Sequence, residues 1–235
     1  MSDLAGPDEF LTYMIVVAHP DDAEFSAGGT IARLTSEGKR VILIQVTSGN
    51  RGTSDRLMTP ERMASIREEE QLESAARLGI EETVFLRCGD GDLLPDLQLR
   101  EKIVRMIREH KPDAIITHDP FRPYALHPDH RAVGLATTDA VYPTARDHLY
   151  FAEHIAEGLE PHKTAEIWFS GSDQPDRYID ITESIDRKIY ALLAHVSQIG
   201  DGEGLAERMR ERAAELAKDQ QFELAEVFKV VQMRR

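Results

Sequence analysis

Short apolar runs alternate with longer amphipathic stretches along most of this chain. Four of the runs are rich in Val, Ile and Leu, as expected of strands buried on both faces of a sheet. They cover residues 13–18, 40–46, 83–88 and 113–118. Helices are predicted between them over residues 26–39, 59–79 and 97–110. This alternation predicts a mainly parallel sheet that is covered by helices on both faces.

The second half of the chain continues the pattern less regularly. Helices are predicted over 127–143, 182–198 (with Thr182 as its N-cap) and 205–218, and strands over 165–170, 177–181 and 225–233. Residues 144–163 and 199–204 are predicted to be loops or lids. Because no internal repeat, low-complexity tract or linker interrupts the pattern, the sequence favours a single domain over residues 1–235.

Composition excludes several classes of protein. Hydrophobic residues make up 41% of the chain, which is enough for a sizeable core. The net charge of −14 and the pI of about 5.1 argue against binding to nucleic acid and against docking on an anionic membrane. No apolar run approaches the ~20 residues that a membrane span needs. Cys88 is the one cysteine and the acidic N-terminus lacks the order of a signal peptide, so a cytoplasmic location is expected.

Side chains of the metal-binding type cluster after two of the predicted strands. They are His19, Asp21 and Asp22 after the first strand, and His118, Asp119, His127, Asp129 and His130 at and after the fourth. The carboxyl ends of parallel strands share one rim of the sheet, where ligands bind. If the two strands flank the crevice, the two groups meet.

Imidazole nitrogen and carboxylate oxygen are ligands that zinc accepts, and a catalytic zinc site uses three protein ligands. A cation at this rim would neutralise one carboxylate of the Asp21–Asp22 pair and leave the other free as a base. The pair is otherwise typical of a solvated turn or a helix cap. A histidine such as His130 is otherwise a core or surface residue.

The motifs "AHPDDAEFSAGGTIARL" and "HPDHRAVG" resemble the PIG-L/LmbE-like family of zinc-dependent N-deacetylases. The resemblance runs from about Tyr13 to about Gln198 and includes "TSGNRGTSD" and "IREEEQLESAARLG". "HDPFRPYALHPDHR" and "HVSQ" resemble the diacetylchitobiose deacetylase branch. The fold implied is a Rossmann-like three-layer α/β sandwich with a mainly parallel central sheet.

The resemblance implies a role for each residue of the two motifs. His19, Asp22 and His130 would bind Zn²⁺, and Asp21 would be the general base and later the general acid. His127 would stabilise the oxyanion. Asp129 would orient a neighbouring histidine, or would be a simple carboxylate at a helix N-terminus. Because a helix N-terminus disfavours a positive imidazole, a carboxylate such as Asp129 would have to offset that effect at His127.

Four further residues are candidates for binding the substrate. Arg67 matches an arginine that contacts substrate in relatives, although an ion pair on the helix surface is the alternative. His118 would line the pocket or cap the next loop. Asn50 and Arg51 complete the set, but the family often has Gly-Glu where this chain has Gly49-Asn50, so contacts around 49–52 are expected to differ.

The sequence therefore predicts a zinc hydrolase that removes the acetyl group from an N-acetylated amino sugar or glycoside, a small-molecule substrate. Relatives often form trimers or hexamers, so a homo-oligomer is expected. One alternative is a related amidase that acts on a thiol-sugar conjugate or another amide. The other is a non-catalytic module that binds a metal or a sugar. Asp21 and His127 argue against the second alternative, because holding a metal requires neither.

Overall fold

The computed structural model describes residues 10–233. Residues 1–9 and 234–235, with most of the acidic N-terminal stretch, lie outside the described part. The strands are Thr12–Val17 (β1), Arg40–Thr47 (β2), Glu82–Cys88 (β3), Ala114–His118 (β4), Glu166–Ser170 (β5), Arg177–Asp180 (β6) and Ala225–Gln232 (β7). The helices are Asp22–Ser36 (α1), Pro60–Leu78 (α2), Leu97–His110 (α3), Pro128–Val141 (α4), Ala152–Ala156 (α5), Ile185–Leu192 (α6), Val196–Ile199 (α7) and Leu205–Ala217 (α8).

The seven strands form one sheet in the order β3-β2-β1-β4-β5-β7-β6. Strands β1 to β5 are parallel, and β7 is antiparallel to both β5 and β6. From β1 the chain proceeds outward to β2 and β3, and it then returns to the other side of β1 for β4. This reversal creates a topological switch point between β1 and β4, which is where doubly wound sheets bind ligands. The predicted α/β class with a mainly parallel sheet is confirmed.

Strand β1 is buried on both faces, as its continuous apolar run predicts. Met14 and Val16 pack in the cluster formed with α3 and α4. Tyr13, Ile15 and Val17 face the opposite cluster, which α1 covers. Because both faces of the strand are covered, the polar residues that follow β1 are the first of this segment to reach the rim of the sheet.

Helix α2 has the ends that its sequence predicts. The Thr59 hydroxyl accepts a hydrogen bond from the Arg62 N–H, Pro60 is the first helical residue, and Gly79 ends the helix in the left-handed conformation at φ 72°. The helix places Arg67 and Gln71 on one side, one turn apart, where both reach the segment after β1.

Two helices differ from their predicted bounds. Helix α1 begins at Asp22 rather than at 26, because Asp21 adopts a left-handed conformation that turns the chain sharply from strand to helix. The stretch predicted as one helix over 182–198 is divided into α6 and α7. His195 lies at the break and is fully buried, so the chain bends to bring its ring inside.

The predicted N-cap Thr182 is wrong, since α6 begins after Ser184. The Thr182 hydroxyl donates to the Asp180 carboxylate and accepts from the Leu224 N–H, which joins the ends of β6 and β7 instead. The segment 144–163 contains a 3₁₀ turn, Thr144–Arg146, and the short α5. The buried Arg108 donates to backbone carbonyls of this segment, which fixes it against α3.

Among residues 10–233, no helix combines the length and the apolar character that crossing a membrane requires.

Candidate metal centre and active site

The switch point brings together the two groups of polar residues that the sequence places after β1 and β4. Strands β1 and β4 are direct neighbours, with Val16 opposite Thr117. The segment after β1 supplies His19, Asp21 and Asp22, the end of β4 supplies His118, and the start of α4 supplies His127, Asp129 and His130. The hypothesis that the two groups meet is therefore confirmed by the topology.

Three of these side chains converge, with Asp22 contacting one histidine through each of its two carboxylate oxygens. His19 Nδ1 lies 3.3 Å from Asp22 Oδ2 and 3.3 Å from His130 Nε2, and His130 Nε2 lies 3.3 Å from Asp22 Oδ1. Zinc bonds of about 2.0–2.1 Å in a tetrahedral arrangement separate neighbouring ligand atoms by about 3.3–3.4 Å. The spacing and the donor set of the trio His19, Asp22 and His130 therefore fit a zinc ion with a fourth position open.

The ring of His19 is oriented by carboxylates behind it. His19 Nε2 lies 3.1 Å from Asp129 Oδ2 and 3.2 Å from Asp90 Oδ1. Since an ionised carboxylate can only accept, Nε2 carries the proton and Nδ1 is left as the ligand atom. A metal-binding histidine commonly shows this arrangement. The side chain of Asp129 thus contacts His19, whereas the backbone N–H of Asp129 donates to His127 Nδ1.

Electrostatics at His19 favour a positive charge. Burial lowers the pKa of His19, but the hydrogen bonds that its ring donates to Asp22, Asp90 and Asp129 outweigh burial and raise the pKa to about 10. Burial alone would raise the pKa of Asp22, yet its contacts with His118, His130 and His19 hold it well below its usual range. Asp22 is therefore a carboxylate, and the trio attracts a cation.

His118 lies against this trio and, with Asp22 and His130, forms a further group of side chains that could hold a metal ion. Its Nε2 accepts a hydrogen bond from the Ala18 N–H at 3.2 Å and lies 3.4 Å from Asp22 Oδ2. Its ring stacks on the His130 ring, with 4.0 Å between the centroids. Because the Nε2 lone pair is directed at Ala18, we interpret His118 as a wall of the site that positions His130.

Asp21 stays outside the trio and contacts Arg67. The Arg67 guanidinium is buried and donates to Gly49 O at 3.0 Å, to Pro20 O at 2.5 Å and to Asp21 Oδ2 at 3.3 Å. The alternative of an ion pair on the helix surface is therefore wrong for Arg67. Burial and the charge of Asp22 raise the pKa of Asp21 to about 7, although Arg67 acts in the opposite direction. A carboxylate with a raised pKa beside a metal site is suited to accept a proton.

His127 is the N-cap of α4 and faces the same space. Its Nδ1 accepts from the Asp129 N–H at 3.3 Å, and its ring lies 4.6 Å from the rings of His19 and His130. Loss of solvation and the neighbouring imidazoles of His19 and His130 lower the pKa of His127. The neutral ring then carries its proton on Nε2, so it can donate a hydrogen bond without the positive charge that a helix N-terminus disfavours.

The loop after β2 places the other predicted substrate contacts at the edge of the site. Asn50 is half-buried in the turn between Gly49 and Gly52. The Arg51 N–H donates to Asp90 Oδ2 at 2.8 Å, while its exposed guanidinium pairs with Asp92. The Arg51 side chain is thus directed to the surface of this loop.

Sequence reasoning missed Asp90, which is buried and contacts His19. It follows β3 in "CGDGD", on the rim that the ends of β1 and β4 share. The signal was present, since an acidic residue directly after a third parallel strand reaches the same edge of the sheet.

Comparison with known proteins identifies the family. A sequence model of the family described as PIG-L, GlcNAc-PI de-N-acetylase, matches residues 14–141. The diacetylchitobiose deacetylase of Thermococcus kodakarensis is 34% identical over 185 residues, which cover 79% of this chain and 69% of that protein. The chain therefore belongs to the PIG-L family, and the resemblance seen in the two motifs is confirmed.

Further relatives agree with this assignment. A probable N-acetyl-alpha-D-glucosaminyl L-malate deacetylase 2 of Bacillus cereus is 31% identical over 190 residues, covering 79% of this chain and 82% of that protein. The solved structure of N,N'-diacetylchitobiose deacetylase from Pyrococcus horikoshii has a TM-score of 0.91 at 28% identity, covering 98% of this chain and 88% of that one. The family is thus one of deacetylases, and these relatives are named for N-acetylglucosamine-type substrates.

Proposed function

We propose that this protein is a zinc-dependent deacetylase that hydrolyses the acetamido group of an N-acetylglucosamine-type sugar or glycoside. The observation that carries the proposal is the convergence of His19, Asp22 and His130, with the carboxylate of Asp21 outside this trio and paired with Arg67. The names of the relatives support the choice of substrate class.

His19 Nδ1, a carboxylate oxygen of Asp22 and His130 Nε2 would hold the zinc ion. When bound, zinc supplies Lewis acidity that polarises the amide carbonyl and makes a water molecule nucleophilic near neutral pH. Asp129 and Asp90 keep the His19 ring in the required tautomer.

Asp21 is the proton carrier in this proposal. Its carboxylate accepts a proton from the attacking water as the oxygen bonds to the acetyl carbon. It then returns that proton to the amide nitrogen as the carbon–nitrogen bond breaks, which releases acetate and the free amine. Arg67 holds the carboxylate through the hydrogen bond to Oδ2.

His127 would donate from Nε2–H to the oxygen that becomes negative when water adds to the carbonyl. Its Nδ1 is held by the Asp129 N–H, so the ring needs no reorientation during the reaction. A neutral donor explains how a histidine at a helix N-terminus can serve this role.

A cleft beside the trio provides room for the sugar. Asp22 and His130 line it together with Phe25, Ser26 and Arg122. The half-exposed ring of Phe25 offers an apolar face, while Ser26 and Arg122 offer hydrogen-bonding groups, as sugar rings require.

A larger cavity of about 700 Å³ lies at the other end of α1, near Arg33 and Glu37. It is remote from the ligand trio, so we do not assign the substrate to it.

The test is acetate release from a panel of N-acetylated compounds by the zinc-loaded protein. The panel contains N-acetylglucosamine, diacetylchitobiose, an N-acetylglucosaminyl carboxylic acid conjugate, an N-acetylated thiol-sugar conjugate and simple acetamides. Release from an N-acetylglucosamine-type compound, absent in Asp21→Asn, is the expected result. Release from other amides alone would favour the related amidase. Absence of any release with zinc fully bound would favour a binding module.

A homo-oligomer and a cytoplasmic location stay predictions, as does the single domain.

A further inference from the structure

A fully buried polar cluster lies beneath Asp21 and takes no part in the steps above. It consists of Glu24 on α1, Gln71 and Ser74 on α2, and His195 before α7, each with 0% exposure. Glu24 Oε1 accepts from the Gln71 amide and from the Ser74 hydroxyl, both at 2.7 Å. Glu24 Oε2 lies 3.6 Å from His195 Nε2. Burying a carboxylate costs free energy, so a buried cluster of this kind needs a structural or functional reason.

The cluster reaches Asp21 through one hydrogen bond at a strained position. Asp21 has φ 94° and ψ −23°, a conformation that residues other than glycine rarely adopt. The Asp21 N–H donates to Gln71 Oε1 at 3.1 Å. On the other edge of the same peptide, Pro20 O accepts from Arg67 Nη2 at 2.5 Å. Helix α2 therefore holds the Pro20–Asp21 peptide from both of its polar ends.

Glu24 determines which end of the Gln71 amide faces Asp21. A carboxylate can only accept, so the Gln71 NH₂ group must face Glu24. The Gln71 oxygen is then left to accept from the Asp21 N–H. If the amide were rotated by half a turn, its NH₂ group would face the Asp21 N–H, which is also a donor. Its oxygen would face the Glu24 carboxylate, which is also an acceptor. The pair thus has one satisfied arrangement.

We propose that Gln71, oriented by Glu24, is a positioning residue for the catalytic base Asp21. The two residues hold the left-handed backbone that directs the Asp21 carboxylate toward the reacting water rather than toward the metal. The inference rests on the proposed function for its kinetic readout. It assigns no contact with substrate or metal to Gln71 or Glu24.

The primary variant is Gln71→Met, which keeps the volume and removes the acceptor. We expect kcat to fall about 10–100-fold, because a displacement of the base near 1 Å has an effect of this size. KM and zinc content should stay within twofold of wild type, because the inference assigns Gln71 no contact with substrate or zinc. Gln45→Met is the matched control, since Gln45 is also a fully buried glutamine and lies on β2. It should leave kcat unchanged.

An exchange of the two side chains tests the orienting role of Glu24. Gln71→Glu alone places two carboxylates together and should reduce kcat more than Gln71→Met. In the double variant Glu24→Gln with Gln71→Glu, the carboxylate at position 71 accepts from the Asp21 N–H. The amide at position 24 then donates to that carboxylate, so the pair is satisfied again. We expect kcat to recover to within about fivefold of wild type. A merely structural glutamine would not give this recovery.

Hydrogen exchange at the Asp21 amide provides a readout that needs no activity. It should be at least tenfold faster in Gln71→Met than in wild type or in Gln45→Met. If wild type released no acetate, the proposed function would fail while this measurement still judged the positioning. Unchanged exchange, a kcat of Gln71→Met within twofold of wild type, or a double variant no better than Gln71→Glu would each overturn the inference.

Discussion

Two groups of buried charges lie along α1, and they are built differently. The first is the pair formed by Lys188 and Glu226 beside the middle of the helix. Lys188 Nζ lies 2.6 Å from Glu226 Oε1 and 2.9 Å from Phe25 O. The Glu226 carboxylate also accepts from the N–H groups of Gly29 and Thr30. Positive and negative charge balance, and both carboxylate oxygens are satisfied within the protein.

The second group, at the start of α1, contains more negative charge than its partners offset. Asp22, Asp90 and Asp129 surround one imidazole, that of His19. Arg67 supplies its fixed charge to Asp21. The raised pKa of His19 expresses the imbalance. A buried pair that is complete is a structural element, whereas a buried cluster of ligand atoms that attracts a cation is a binding site.

The largest effect on folding is expected at the balanced pair. Lys188→Met keeps the stem that packs on Gly28 but leaves Glu226 without its cation. The free energy of unfolding should fall by about 3–5 kcal/mol, as when one partner of a buried pair is removed. Urea unfolding measures this, with Lys188→Met plus Glu226→Gln as the control that removes the unpaired charge and should lose less. Zinc bound per folded molecule should not change. Loss of zinc at unchanged stability would reverse the distinction between the two groups.

A smaller effect, on metal binding, is expected at the unbalanced cluster. Asp129→Asn replaces the fully buried carboxylate that orients His19. Zinc affinity should fall about 10–100-fold, which is typical when the group behind a metal-binding histidine is changed. Competition with a chelator measures the affinity. Asp92→Asn is the control, because Asp92 lies on the same loop as Asp90 but pairs with Arg51 at the surface. Equal affinities for the two variants would contradict the orienting role.

The smallest effect concerns protons. With a pKa of about 10, the metal-free His19 imidazole is positively charged at neutral pH and carries a second proton, on Nδ1, whereas Asp22 is already ionised. Zinc binding at Nδ1 must displace the proton there. Loss of this one proton should make zinc affinity rise about tenfold per pH unit between pH 6 and 8. Calorimetry in buffers of different ionisation enthalpy should show release of about one proton. Proton uptake, or an affinity that falls with rising pH, would exclude His19 as a ligand.

The sequence predicted the sheet because strands and helices depend on local patterns, whereas the choice of His19, Asp22 and His130 as ligands came from the family resemblance and stays a prediction. A continuous apolar run such as 13–18 favours a strand covered on both faces, and the end of such a strand lies on the rim of the sheet. That the two motifs meet depended on the strand order, which the sequence left open and which the structure supplies by placing β1 beside β4. Asp90 belongs to the same rim and was missed for want of a motif around it.

Other features depend on contacts that no local pattern records. The left-handed conformation of Asp21 moves the start of α1 forward, and it is held by Gln71 and Arg67 from a different helix. The break between α6 and α7 exists because His195 turns inward toward Glu24. Both features arise from packing between segments that lie far apart in the sequence.

The central claim is that neighbouring aspartates have different tasks, with Asp22 holding the metal and Asp21 carrying the proton. The most direct test measures zinc content and acetate release on the same preparations of Asp21→Asn and Asp22→Asn. Asp21→Asn should keep its zinc and lose roughly 10²–10⁴-fold in kcat, the usual contribution of a general base. Asp22→Asn should bind zinc about a hundredfold more weakly or worse, beyond the loss expected for Asp129→Asn. Loss of zinc from Asp21→Asn, or full turnover by it, would contradict the account.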